Sequence, residues 1–207
     1  TITRKGDEVV ALFSVMYKAG EKNISHIQKV VVNNKAEVII TNTVDFDKGL
    51  PSLARIGLRM ELVAGYESLQ WFGCGPHENY IDRDAGAAIG CYNSSVTDQY
   101  VPYILPQAHG NKTATRWFAL ENEKTRVTFT ADSTFEFSAS HYSDEDLFTS
   151  FHTNEVESKK RKQTVITIDK KQRGVGSGSC GPQTRPEYVI QPDVYEFSYT
   201  ITACRKG

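Results

Sequence analysis

The side chains in this sequence best suited to moving protons near neutral pH are its five histidines, His26, His77, His109, His141 and His152. His77 adjoins Glu78 in Gly75-Pro76-His77-Glu78-Asn79-Tyr80, with Asp82 and Arg83 just beyond. An imidazole and a carboxylate held together form a general acid–base pair. Neighbours on an extended chain point to opposite faces, however. The simpler expectation is that Glu78, Asp82 and Arg83 brace an irregular loop through charge-assisted hydrogen bonds. His109, followed by Gly110, reads as a turn residue. Aromatic side chains crowd the same region: Trp71, Phe72, Tyr80, Tyr92, Tyr100, Tyr103 and Trp117. Aromatic faces suit the apolar face of a pyranose, with Asn and Asp taking its hydroxyls, but most of these rings are expected to fill a β core.

Other chemistries find little support. No nucleophile elbow, phosphate-binding loop or zinc-helix motif is present. The run Gly174-Val175-Gly176-Ser177-Gly178 has the spacing of a dinucleotide fingerprint, but Cys180-Gly181-Pro182 follows where a helix should open. The four cysteines, Cys74, Cys91, Cys180 and Cys204, lie far apart without the local rhythm of a zinc site, and free, mostly buried thiols are expected. The 24 basic and 25 acidic side chains nearly cancel, which argues against a nucleic-acid partner. No apolar run approaches the ~18 residues of a membrane span. No cofactor or metal is called for in this chain, and the sequence leaves a parent's requirement open. A chain of 207 residues buries enough surface to hold a core unaided. Its start, Thr1-Ile2-Thr3-Arg4-Lys5, lacks both a methionine and an apolar leader, and points to a processed or excised piece of something longer.

The elements that would position these groups are strands. β-Branched or alternating runs occur at Val9 to Tyr17, Ile24 to Val32, Ala36 to Val44, Ala54 to Leu62, Glu67 to Phe72 and Arg116 to Leu120. They continue at Arg126 to Ala131, Thr134 to Ala139, Thr164 to Asp169 and Tyr195 to Ala203, and Asn33-Asn34 marks a hairpin. One helix is expected, from Ser143 as N-cap through Asp144, Glu145 and Asp146 to about Ser150. Strands this frequent imply an antiparallel sandwich or barrel, all-β, in one domain spanning 1–207. Two irregular stretches remain, Gly73 to Gly110 and Gly174 to Pro186, where function would sit on a sheet scaffold.

Those stretches carry a resemblance. Leu53-Ala54-Arg55-Ile56-Gly57-Leu58, then Trp71-Phe72-Gly73-Cys74-Gly75-Pro76-His77-Glu78-Asn79-Tyr80-Ile81-Asp82-Arg83, resemble the small-chain or C-terminal domain of the glycoside hydrolase family 2 β-galactosidases. Tyr100 to Gln107 with Gly110-Asn111-Lys112-Thr113, and Gly174 to Pro182, are similar to that family's later blocks. The resemblance implies a large antiparallel β-supersandwich of the galactose-mutarotase type. It also implies partners: the remaining domains or large subunit of an oligomeric parent, and a galactoside substrate. The parent's compartment, cytoplasmic or periplasmic, stays open.

Family 2 β-galactosidases are retaining, and retention requires two carboxylates about 5 Å apart. In the family both are glutamates on a central barrel, and no glutamate here matches those motifs, so no residue of this chain is expected to be catalytic. The family's Gly-rich loop reaches the mouth of the active site. By that resemblance Gly176, Ser177, Gly178, Ser179 and Cys180 are expected to line the substrate rim through backbone groups and small side chains. Some relatives place a tryptophan where Cys180 stands, and a thiol cannot supply that stacking. Two other readings remain open. One is a free-standing aldose epimerase, pairing His77, His109 or His141 with Glu78 or Glu187; the other is a carbohydrate-binding module without chemistry.

Overall fold

The structure is a computed structural model that describes residues 1–176 and 181–206. Its strands are β1 (Ile2–Lys5), β2 (Glu8–Ala19), β3 (Lys22–Val32), β4 (Val38–Phe46), β5 (Arg55–Leu62), β6 (Ser68–Gly75), β7 (Ala88–Ser95), β8 (Lys112–Glu121), β9 (Thr125–Ser140), β10 (Thr164–Gln172) and β11 (Val194–Arg205). They join in the order β1-β2-β3-β4-β11-β9-β8-β6-β7, with β10 bridging β9 and β5 off that path. Every pairing among the described residues is antiparallel. The all-β antiparallel architecture read from the strand spacing is the one the chain adopts.

β9 explains the branching. Its first half, Thr125 to Ala131, pairs with β11, and its second half, Glu136 to Ser140, pairs with β10. The segments expected as separate strands at 126–131 and 134–139 are therefore one bent strand. Between them the register with β8 shifts twice, and Ala114 of β8 takes a left-handed φ of 50°. β7 was not expected within the irregular stretch. It is an edge strand, Ala-Ile-Gly-Cys-Tyr-Asn-Ser-Ser, with little burial to impose alternation.

The core gathers where the two halves of β9 meet β6, β8 and β10. Phe118 stacks on Phe129 at 4.5 Å and on Phe137 at 4.2 Å, and Trp71, Leu69, Leu120, Ile166, Ile168 and Tyr199 close around them. The outer face of β9 and β10 carries the polar alternates, Glu136, Ser138, Thr167 and Asp169, and is roofed by α1 (Asp144–Phe148). Ser143 caps α1 as expected: its Oγ accepts from the Asp146 amide at 3.2 Å, while Asp146 Oδ2 accepts from the Ser143 amide at 2.8 Å. A second short helix, α2 (Thr153–Ser158), follows. It buries only Val156, too little apolar periodicity to announce itself in sequence.

The thiols differ from expectation. Cys74 is buried, but Cys91 and Cys204 are exposed, the first on edge strand β7 and the second near the end of β11.

Candidate functional site

The base of the Gly-rich segment is gripped by a carboxylate. Asp82 accepts the backbone N–H of Val175 on Oδ1 at 3.0 Å and that of Gly176 on Oδ2 at 2.7 Å. Such charge-assisted bonds are about twice as strong as neutral ones. Two glycines make the grip possible. A Cβ on Gly174 would lie 2.7 Å from the Asp82 carboxylate and 2.9 Å from Tyr188. Gly176 has φ +59°, and its Cβ would meet the Thr184 amide nitrogen at 2.8 Å. The Gly174 N–H donates to Tyr188 O at 3.1 Å and the Thr184 hydroxyl to Gly174 O at 2.9 Å.

The element carrying Asp82 is itself held. Glu78 accepts from Arg83 at 2.5 Å, from the Tyr103 hydroxyl, and from the Gly110 N–H at 2.8 Å. Burial alone would raise its pKa; the bonds from Tyr103, Gly110 and Arg83 outweigh it and hold the carboxyl below the usual range. Asn79 Oδ1 takes both the amide (2.8 Å) and the hydroxyl (2.6 Å) of Thr113. Asn111 Nδ2 donates to Asn79 O at 3.0 Å and to Glu136 at 2.7 Å, and Glu136 receives the Gln172 N–H at 3.1 Å.

From Gln172 the network reaches Arg55, which donates to Gln172 Oε1 at 3.2 Å and to Asp144 at 3.3 Å. Arg55 Nε also lies 3.4 Å from Asp169 Oδ2, a charge contact without hydrogen-bond alignment. Gly57 opens the space Asp169 needs, since a Cβ there would stand 1.9 Å from its Oδ1. Burial pushes Asp169 up to about 7 despite Arg55, and it raises Glu136 as well. It drives Lys112 down to about 8, although that ammonium donates to Gln99 Oε1 at 2.8 Å and Gly110 O at 3.1 Å. The four motif blocks of the sequence thus share one polar network, ending at the Gly-rich segment.

Residues 2–201 match the family described as Beta galactosidase small chain. The chain belongs to that family. Among relatives of this small-chain domain, a beta-galactosidase of Priestia megaterium is 33% identical over 171 residues, covering 82% of this chain and 16% of the relative. Beta-galactosidases of Staphylococcus xylosus and Photobacterium profundum are each 30% identical, covering 82% and 94% of this chain. The small-chain domain spans 17% and 18% of those two proteins. In fold it is similar to a GalM/aldose epimerase homologue from C. elegans, with TM-score 0.51 at 14% identity, covering 100% of this chain and 69% of that one. The likeness agrees with the mutarotase-type supersandwich expected above.

In the small-chain domain the expected rim falls unevenly on the described residues. Gly176 is placed by Asp82; Ser177, Gly178, Ser179 and Cys180 lie outside the described residues. The epimerase pairings are not formed: among the described residues none of His77, His109 and His141 hydrogen-bonds Glu78 or Glu187. His77 is exposed. His109 Nδ1 lies 3.0 Å from Gln107 O, and burial lowers its pKa. His141 instead meets Glu67 at 2.7 Å, a pair that sequence distance concealed. Of the aromatic rings, Trp71 and Tyr80 are core. Trp71 spends its indole N–H on Cys74 O at 3.0 Å.

Glu136, Asp169 and Lys112 were not singled out by sequence. For the two acids the signal was available in alternation, because Phe135, Phe137, Ile166 and Ile168 flank them on the core face.

Proposed function

We propose that this chain is a single, non-catalytic domain of a retaining β-galactosidase that hydrolyses terminal β-D-galactosides. It completes the rim of an active site carried by the remaining domains or large subunit of the parent. The observation that carries the reading is the hold of Asp82 on the Val175 and Gly176 amides, which fixes the approach to the Gly-rich segment through backbone alone. Family membership and the small share of each relative's length support it.

The absence of catalysis within the chain rests on burial. Glu136 and Asp169 stand opposite one another in register, as two carboxylates of a retaining pair must be neighbours. They are only 7% and 1% exposed and are engaged by Asn111, Gln172 and Arg55, so no glycosidic oxygen reaches them.

The experiment has two arms on a chromogenic β-galactoside. In the first, this chain, the remainder of the parent and their mixture are assayed separately; only the mixture should turn over. In the second, Asp82→Asn is placed in the parent. Losing charged contacts of this kind costs about 1.5–3 kcal/mol each, enough to shift the anchored population at least about tenfold. Turnover should fall while the fold, read by circular dichroism, is kept. Hydrolysis by the chain alone, or full activity of the Asp82→Asn parent, would overturn the reading.

A further inference from the structure

The sheet face that carries the core runs on past the layer that covers it. Alternation places Val9, Phe13, Val15 and Tyr17 of β2 on one face. Register carries that face through Gln28 and His26 of β3 and Asn42 and Val44 of β4 to Phe197 and Tyr199 of β11. Tyr199 is 0% exposed, whereas Phe13, Val15 and Tyr17 are 49%, 40% and 51% exposed. Polar Gln28, His26 and Asn42 lie between β2 and the core on this face; scattered apolar residues on a surface need no explanation, but a row of them on one strand does.

The cover ends at β5. Ile56 and Leu58 of β5 form one side of an open groove of about 200 Å³, and Tyr17, His26, Val44 and Phe46 form the other. Among the described residues β5 pairs with β10 alone, and past the Leu53–Ile190 bridge just before its start its other edge is unpaired. Its charged residues Arg59 and Glu61 are engaged by Glu145 and Arg161. Exposed edges of this kind are where an additional strand is received.

We infer that an extended segment of the same parent polypeptide adds to the free edge of β5 and lays alternate apolar side chains over Phe13, Val15 and Tyr17. The inference rests on the reading of this chain as part of a longer enzyme. Relatives carry more than four-fifths of their length beyond the matched part, which supplies such a segment. A tethered segment has an effective concentration of order millimolar, which favours it over a second molecule.

The test uses the full-length parent with a benzophenone-bearing residue at the position of Phe13, and, as a reference on the opposite face, at that of Lys29. Irradiation should join Phe13, and not Lys29, to one peptide of the same polypeptide lying outside this sequence. Backbone amides of β5 should exchange slowly in the parent. Cross-links joining two copies of the protein, capture at Phe13 no greater than at Lys29, or fast exchange along β5 would each overturn the inference. Failure here with successful reconstitution of turnover removes this surface alone. A clear cross-link in a parent indifferent to Asp82→Asn removes the rim reading alone.

Discussion

Asp169 makes the stability of this domain depend on pH in a direction opposite to that of most acids. Its carboxyl sits 1% exposed above Gly57, with Arg55 Nε 3.4 Å away. Burial raises its pKa from 3.8 to about 7. At 1.36 kcal/mol per unit, ionising it inside the fold costs about 4 kcal/mol relative to the unfolded chain. The folded-state value lies above the unfolded one, so the native state binds more protons between roughly pH 4 and pH 7. The stabilisation is complete below the unfolded value and is lost as pH rises through the folded value. Asp169→Asn keeps the shape but cannot ionise. Urea denaturation from pH 5 to pH 8 should show the wild type losing roughly 3 kcal/mol, the remainder having gone below pH 5, and the variant losing much less, with the variant more stable at pH 8. The variant's remaining slope reflects Glu136, whose pKa burial also raises. Equal slopes for both proteins, or a variant less stable than wild type at pH 8, would refute the reasoning.

Three further outcomes are expected. Phe118→Ala removes a 0% exposed ring stacked between Phe129 and Phe137 and should cost about 3–5 kcal/mol in denaturant titration. Ser143→Ala breaks the α1 capping box and should cost about 1 kcal/mol, with amide exchange accelerating first across 144–148. Of the described thiols, Cys91 and Cys204 should react rapidly with a thiol reagent in native buffer and Cys74 only on unfolding; equal rates would contradict the burial assigned to Cys74.

Strands were legible in the sequence where one face is buried and the other wet. Tyr195 to Ala203 shows this, and its observed span is Val194–Arg205. They were illegible where burial imposes no alternation, as in edge strand β7, and where one strand serves two partners, as β9 does at its bend. Glu78 and Arg83 were legible as loop braces because a loop without a ladder must satisfy its polar groups internally. The partner of Asp82 was not legible. Val175 and Gly176 are more than ninety positions away, and the glycines at 174 and 176 record a close approach without naming what approaches.

That last property reaches beyond the fold. Asp82 recognises the Gly-rich segment by its amides, and the Val175 side chain is left 47% exposed. The anchor therefore demands small residues at Gly174 and Gly176 and is indifferent to the lettering that comes after them. A side chain that stands clear of such an anchor can be exchanged without loosening it: substitutions at Val175 should leave the grip of Asp82 on the backbone intact.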